Sequence, residues 1–169
     1  MNSLLVTYIL QTEKWTSPEL FETKNRIYTF LNPVSYLIAL ENKSLFKQFD
    51  GIFADGSLLV SAIRLVYGKR VTRRSFDMTS LAPELLNYLM ESRKTLYIVA
   101  SGQEQVECSV RIFQEQYPKL RIAGFRNGYF SSDAEMNKEA SHIVELNPDF
   151  LIVGMGALMQ EKFRKGGAR

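Results

Sequence analysis

Apolar residues follow two alternating patterns from residue 27 onward. Continuous apolar runs are typical of buried strands, and here they end near turn signals at 27–31, 51–54, 95–100, 120–125 and 150–154. Apolar residues at helical spacing fill the intervals and predict helices at 34–46, 58–66, 81–90, 103–116 and 132–146. A further helix is expected to open at Gly156.

This alternation predicts the class of fold. Strands separated by helices of about ten to fifteen residues form βαβ units, so we expect an α/β fold, a Rossmann-like parallel sheet flanked by helices in a single domain. The predicted core covers residues 26–163. Residues 1–25 pattern poorly and are expected to form a frayed arm or a short strand and helix. Residues 164–169 lack an apolar period and are interpreted as an atypical tail, either truncated or frameshifted.

Composition narrows the classes of function. A chain of 169 residues that is 46% hydrophobic and 23% charged is not a disordered tail or a coiled-coil rod. Its 21 basic and 18 acidic residues give a net charge of +3, which allows an anionic ligand or membrane surface without demanding nucleic acid. One cysteine and one histidine exclude an intrachain disulfide and make a His/Cys zinc site implausible, so a cytoplasmic location fits best.

The pattern offers little evidence of membrane insertion. No apolar run approaches the roughly 18 residues of a spanning helix, and the short apolar stretch at 4–10 does not resemble a secretory signal. Phe46, Phe49, Phe113 and Phe163 lie near basic residues, which leaves peripheral contact open. Ordinary core packing is the favoured interpretation of these four side chains.

Candidate chemistry follows the predicted strands, because ligands of parallel sheets bind beyond the carboxyl ends of the strands. Asp55 directly follows one strand and precedes Gly56. It is a candidate general base, although local sequence slightly favours a cap on the helix that begins near Ser57. Gly154-Met155-Gly156 follows another strand but lacks the third glycine of a dinucleotide fingerprint.

Three other groups of charged residues each allow two interpretations. The basic stretch 69–74 is either a solvated loop or a binding site for a diphosphate. Asp77 either positions a ligand or pairs with an arginine and caps its helix. The sequence Gln160-Glu161-Lys162 lies one turn into the last predicted helix, where it is either a surface triplet or part of the ligand edge.

Five short motifs follow one another along the chain: Asn32-Pro33, Ala54-Asp55-Gly56, Phe76-Asp77-Met78, Asn127-Gly128-Tyr129-Phe130, and Gly154-Met155-Gly156-Ala157 followed by Gln160-Glu161-Lys162. Their combination resembles the WecG/TagA/CpsF glycosyltransferases, glycosyltransferase family 26, over about residues 26–163. Each motif alone is weak evidence, and the ordered set is strong.

The resemblance implies a bacterial inverting transferase. Such enzymes move an N-acetylmannosamine-type or related sugar from a UDP donor to an undecaprenyl-diphosphate-linked N-acetylglucosamine, for teichoic acid, enterobacterial common antigen or capsule. It implies no cofactor and no nucleic-acid partner, and it leaves open a homo-oligomer and a peripheral position on the inner face of the plasma membrane. No DxD-type motif stands at a strand end, so we expect metal-independent catalysis.

The resemblance also assigns site residues. Asp55 becomes the expected catalytic base, so the resemblance favours a catalytic role for this residue over a role as a helix cap. The expected substrate-binding residues are Thr29, Asn32, Gly56, Arg74, Asp77, Gly102, Tyr129, Gly154, Gly156, Gln160 and Glu161.

The chain departs from the family pattern in three places. The family's Thr-x-Asn is matched by Thr29-Phe30-Leu31-Asn32, so Phe30 stands where the family has threonine. Its Gly-x-Asp reads Ser75-Phe76-Asp77, and relatives continue for several dozen residues beyond the last motif. The alternative hypotheses are therefore a truncated non-catalytic remnant and a nucleotide-binding Rossmann-like protein.

Overall fold

A computed structural model describes residues 4–163 of the chain. The chain divides into two compact units, with the boundary between Leu85 and Leu86. Parallel strands flanked by helices make up the described residues, which confirms the predicted fold class. The strands form two sheets in the described part of the chain, one of two strands and one of three, where a single sheet was expected.

The first unit is built around a two-stranded parallel sheet. Its elements are α1 (Leu4–Thr12), α2 (Ser17–Glu22), β1 (Tyr28–Leu31), α3 (Pro33–Glu41), α4 (Lys43–Phe46), β2 (Gly51–Ala54), α5 (Ser57–Tyr67) and the first part of α6 (Leu81–Glu91). Tyr28 stands opposite Gly51 and Leu31 opposite Ala54, so both strands end at the same level. The helix predicted at 34–46 is interrupted at Asn42, which ends α3 and begins α4.

Two helices, α1 and α2, form within the described part of residues 1–25, so the expectation of a frayed arm or a strand and helix was wrong for that part. Leu5, Val6 and Ile9 of α1 are buried, and the hydroxyl of Thr12 donates a hydrogen bond to the carbonyl of Ile52 at 3.0 Å. Gly51 allows this helix to approach, since a Cβ there would lie 3.0 Å from Cγ2 of Thr12. Helix α1 therefore packs against β2.

The second unit is a three-stranded parallel sheet with β3 in the middle. After the rest of α6 come β3 (Thr95–Ala100), α7 (Gln103–Gln116), β4 (Arg121–Arg126), α8 (Asp133–Leu146), β5 (Phe150–Gly154) and α9 (Met159–Phe163). The strand order is β4-β3-β5. The predicted bounds 95–100, 103–116 and 150–154 are confirmed, because continuous apolar runs and clear turn signals mark these elements.

The aromatic residues near basic side chains are mostly core. Phe46, Phe49 and Phe163 are buried, and Phe113 is half-buried, which confirms the packing interpretation. Within residues 4–163, no helix is long and apolar enough to cross a bilayer. The predicted atypical tail at 164–169 lies outside the described residues.

Candidate active site

In the first unit, polar residues gather where the two parallel strands end. Asn32 follows β1 and Asp55 follows β2, and the pairing of Leu31 with Ala54 brings both to one edge of the sheet. The backbone N–H of Asp55 donates to the carbonyl of Leu31 at 2.8 Å, which extends the strand pairing by one residue. This edge is where ligands of parallel sheets bind.

Asp55 is partly shielded from water, with 33% of its side chain exposed. Burial raises the pKa of its carboxyl, and the nearby charge of Asp77 raises it further, while Arg73 and the N–H of Gly56 act in the opposite direction. Gly56, with φ of +88°, occupies the cap position of α5 and leaves no side-chain cap bond there. The helix-cap interpretation of Asp55 was therefore wrong, and its carboxylate is available at the sheet edge.

Arg73 brings the two carboxylates together. Its Nη2 lies 3.0 Å from Asp77 Oδ2 and 3.9 Å from Asp55 Oδ1. Asp77 also accepts hydrogen bonds from the hydroxyl of Ser75 at 2.6 Å and from the hydroxyl and N–H of Thr79. These bonds, with Arg73 as a smaller contribution, lower the pKa of Asp77 to about 2. The pairing of Asp77 with an arginine, one of its two readings, is confirmed.

Arg74 lies beside the same edge in a different role from Arg73. Its backbone N–H donates to the carbonyl of Ala54 at 2.9 Å, which fixes the 73–77 loop next to β2. Its guanidinium lies 5.6 Å from the centre of the Phe53 ring. Among the described residues, nothing pairs with its buried Nη1. A cationic nitrogen in this state suits an anionic ligand, because leaving a buried polar group unpaired is unfavourable.

The sequence analysis predicts Arg74 as the substrate-binding arginine, whereas Arg73 is the one that contacts both carboxylates. The two side chains have different contacts, Asp77 for Arg73 and the Phe53 ring for Arg74. The contact that sets their orientation joins residue 74 to residue 54 and leaves no local signal in the sequence.

Thr29 and Asn32, both expected to bind substrate, are placed differently. Thr29 is buried within β1, opposite Ile52. Asn32 is exposed at the sheet edge, where its Oδ1 accepts from the N–H of Ser35 at 2.9 Å and caps α3. A ligand role for either residue stays a prediction, and Asn32 also has a structural role.

In the second unit, three turns meet beyond the carboxyl ends of the strands. Ser101 donates from its N–H to the carbonyl of Gly154 at 3.1 Å, and Gly128 donates to the carbonyl of Ser101 at 2.8 Å. Gly102 precedes the first turn of α7 and Gly156, with φ of +85°, follows β5. The geometry thus brings together the turns that carry four predicted ligand residues: Gly102, Tyr129, Gly154 and Gly156.

Arg126, which the sequence analysis does not identify, stabilises one of these turns. Its guanidinium donates to the carbonyls of Asn127 and Tyr129, each at 2.9 Å. The same group pairs with Glu135 at 3.2 Å and Glu139 at 3.7 Å on α8. The 126–130 turn is therefore fixed to the helix that follows it, while the Tyr129 side chain remains 75% exposed.

Gln160 and Glu161 lie in the short helix α9. Glu161 is buried, and its carboxylate accepts from the N–H of Leu158 at 2.7 Å and from the Gln160 amide at 3.0 Å. The surface reading of this triplet was wrong for Glu161. Binding of substrate by either residue stays a prediction.

Comparison with known proteins decides the family. The model of the "Glycosyl transferase WecG/TagA/CpsF family" matches residues 9–166, which is nearly the whole chain. The chain belongs to this family. The expected resemblance is thereby confirmed.

Two members of the WecG/TagA/CpsF family are similar to this chain. One is the UDP-Gal:alpha-D-GlcNAc-diphosphoundecaprenol beta-1,4-galactosyltransferase of Shigella boydii, 31% identical over 136 residues, which cover 80% of this chain and 56% of the relative. The other is the N-acetylglucosaminyldiphosphoundecaprenol N-acetyl-beta-D-mannosaminyltransferase of Bacillus subtilis (strain 168), 23% identical over 167 residues, which cover 96% of this chain and 62% of the relative. The chain thus spans about three fifths of these WecG/TagA/CpsF relatives.

No cluster of three acidic, histidine or cysteine side chains suited to a metal ion occurs in the described part of this WecG/TagA/CpsF chain. Metal-independent catalysis stays a prediction. What the first unit offers chemically is a carboxylate with a raised pKa that lies 3.9 Å from an arginine, which also binds a second carboxylate.

Proposed function

We propose that the protein transfers a sugar from a UDP donor to N-acetylglucosamine linked to undecaprenyl diphosphate, with inversion. Membership of a glycosyl transferase family supports the class of reaction. The names of both relatives specify N-acetylglucosaminyl-diphosphoundecaprenol as acceptor and a β-linked product. The product would enter bacterial surface polysaccharide synthesis, at the inner face of the membrane that holds the lipid.

Asp55 is the proposed general base, and its geometry is the observation that carries the proposal. In a single displacement, the carboxylate accepts the proton of the acceptor hydroxyl as the oxygen bonds to the anomeric carbon. The bond from that carbon to the donor phosphate breaks, and UDP leaves with the electron pair. An inverting reaction of this kind needs no covalent nucleophile. The raised pKa of Asp55, caused mainly by burial, makes its carboxylate a stronger base than that of an ordinary aspartate.

Arg74 is the proposed contact for the departing diphosphate. Its buried Nη1 has no partner within the described residues, and guanidinium groups bind phosphate oxygens strongly. Arg73 is held at 3.0 Å by Asp77, so we assign it the role of positioning the edge around Asp55. An arginine available to bind the diphosphate supports the proposal that UDP departs without a metal ion.

Two donor sugars are compatible with the comparisons. The N-acetylmannosamine-type sugar follows from the family resemblance and from the Bacillus relative's name. Galactose is favoured by the name of the Shigella relative, which has the higher identity. A panel of UDP-galactose, UDP-N-acetylmannosamine and UDP-N-acetylglucosamine distinguishes them.

The experiment measures UDP release and the mass of the lipid product. The purified chain is incubated with each donor and a GlcNAc-diphospho-lipid acceptor, alongside Asp55→Asn and the matched control Asp133→Asn, an exposed aspartate of α8. We expect one donor to give an acceptor-dependent product that only Asp55→Asn abolishes. UDP binding without transfer from any donor would favour the non-catalytic nucleotide-binding alternative.

A further inference from the structure

Helix α5 carries exposed apolar residues in addition to its buried ones. Leu59 and Ile63 are buried in the first unit. Leu58, Leu65 and Val66 are 69%, 87% and 69% exposed. At about 100° per residue, these three side chains fall within roughly 100° of arc on the outer face of the helix. A solvated helix normally places polar residues there, so this outer face is typical of a contact surface.

The segment around this helix is strongly basic. Between Asp55 and Asp77 the sequence contains no acidic residue, and its basic residues are Arg64, Lys69, Arg70, Arg73 and Arg74. Arg73 pairs with Asp77. Arg64, Lys69 and Arg70 are exposed, and no ion pair within residues 4–163 involves them. Arg64 lies in the last turn of α5, and Lys69 and Arg70 follow the end of the helix.

We propose that the outer face of α5 and the basic residues 64, 69 and 70 contact an anionic lipid bilayer. An exposed apolar stripe with adjacent arginine and lysine matches a headgroup region, where apolar side chains enter the acyl boundary and basic ones meet lipid phosphates. A second copy of the chain is a poorer occupant. A symmetric contact through this face would bring the two sets of Arg64, Lys69 and Arg70 together and oppose like charges.

The contact would serve the proposed function, on which its biological meaning rests. Helix α5 begins at Ser57, two residues after Asp55. A helix seated on the bilayer would hold Asp55 close to the surface from which a lipid-linked acceptor projects. The contact itself is independent of sugar transfer and is measured without any donor or acceptor.

The test is flotation of the full chain with two kinds of vesicle, phosphatidylcholine alone and phosphatidylcholine with phosphatidylglycerol. Two double variants probe the surface: Leu65→Ser with Val66→Ser, and Lys69→Gln with Arg70→Gln. Matched controls are Ile112→Ser with Val144→Ser, and Lys119→Gln with Lys138→Gln, all at exposed positions of the second unit. We expect binding at least about tenfold tighter to anionic vesicles, weakened roughly tenfold by each probing pair and less than about twofold by the controls.

Three results would overturn the proposal. The first is equal binding of the chain to both kinds of vesicle, and the second is unchanged vesicle binding by the two probing double variants. The third is a dimer that the Leu65→Ser, Val66→Ser variant converts to monomers without any change in vesicle binding. UDP release with a short-tailed, water-soluble acceptor separates this proposal from the transferase proposal. Vesicle binding without UDP release would contradict only the transferase proposal. UDP release that the variants leave unchanged, together with no vesicle binding, would contradict only the membrane-contact proposal.

Discussion

Asp55 and Asp77 share one guanidinium, that of Arg73, and have pKa values shifted in opposite directions. Burial raises the pKa of Asp55, while hydrogen bonds from Ser75 and Thr79 lower that of Asp77 to about 2. Neighbouring carboxyls whose environments separate their pKa values usually have different roles. Here Asp55 is suited to accept a proton, and Asp77 to hold the loop around it.

Replacing Asp55 with asparagine is expected to abolish transfer without unfolding the protein. Loss of a general base lowers kcat by roughly 10²–10⁴-fold. Because the folded-state pKa is raised, ionisation of Asp55 opposes folding at neutral pH, so the neutral amide should keep or increase the Tm at pH 7. Below the ordinary pKa of aspartate the Tm difference should disappear, since both side chains are then neutral. Full activity in a folded Asp55→Asn protein would exclude the base assignment.

Replacing Asp77 with asparagine is expected to lower stability in a pH-dependent way. Its pKa is depressed in the folded state, so its contribution to stability is complete above pH 4 and lost as pH falls through about 2. Thermal melts of parent and Asp77→Asn should therefore differ at pH 7 and converge near pH 2. Asp133→Asn, whose side chain lies on the surface, provides the control. A difference that stays constant across this range would contradict the assignment.

Arg74→Met separates the ligand role of this arginine from a structural one. Methionine keeps an apolar contact with Phe53 and removes the unpaired nitrogen, so the free energy of unfolding should be unchanged or higher. Transfer should fall by about tenfold or more if the guanidinium binds the departing diphosphate. Reduced stability with unchanged kcat/KM would show that the arginine acts only in packing.

Thr12→Val tests whether the N-terminal helices belong to the folded core. Thr12 is buried, and its hydroxyl donates to the carbonyl of Ile52 on β2. Loss of this bond should lower the free energy of unfolding by about 1–3 kcal/mol. The control is Thr23→Val, whose hydroxyl bonds the carbonyl of Glu19 at an exposed helix end. Equal urea midpoints for the two variants would argue against docking of α1 on β2.

Chelation tests the expectation of metal-independent transfer. We expect excess EDTA to leave the initial rate unchanged, because a guanidinium can stabilise the charge that develops on UDP. The rate is measured with and without added Mg²⁺ and Mn²⁺. A strict requirement for a divalent ion would overturn this prediction while leaving the role of Asp55 open to its own test.

The sequence predicts the strands well and the side-chain orientations poorly. Strands such as Thr95–Ala100 are continuous apolar runs between turns, and Asp55 is identifiable because it ends such a run. The choice between Arg73 and Arg74 depends on a backbone hydrogen bond to Ala54, distant in sequence. Local patterns contain no record of such contacts.

The N-terminal helices were missed for a related reason. Helix α1 is stabilised by packing on β2, about forty residues later, and its nine residues are too few for a clear helical period. Glu161 presents the same difficulty in α9. A glutamate is normally exposed, and the bonds that its carboxylate accepts from the Leu158 N–H and the Gln160 amide accompany its burial.

The bracing of the 126–130 turn by Arg126 has a consequence for the entropy of binding. Its guanidinium links the carbonyl of Tyr129 to Glu135 and Glu139 of the following helix before any ligand arrives. A ligand that contacts the exposed Tyr129 ring would meet a backbone already ordered, and so would immobilise only one side chain with two torsions. Preorganisation of this turn would therefore increase the affinity for the ligand. If the contacts of Arg126 were removed, the affinity would fall mainly because the entropy of binding becomes less favourable.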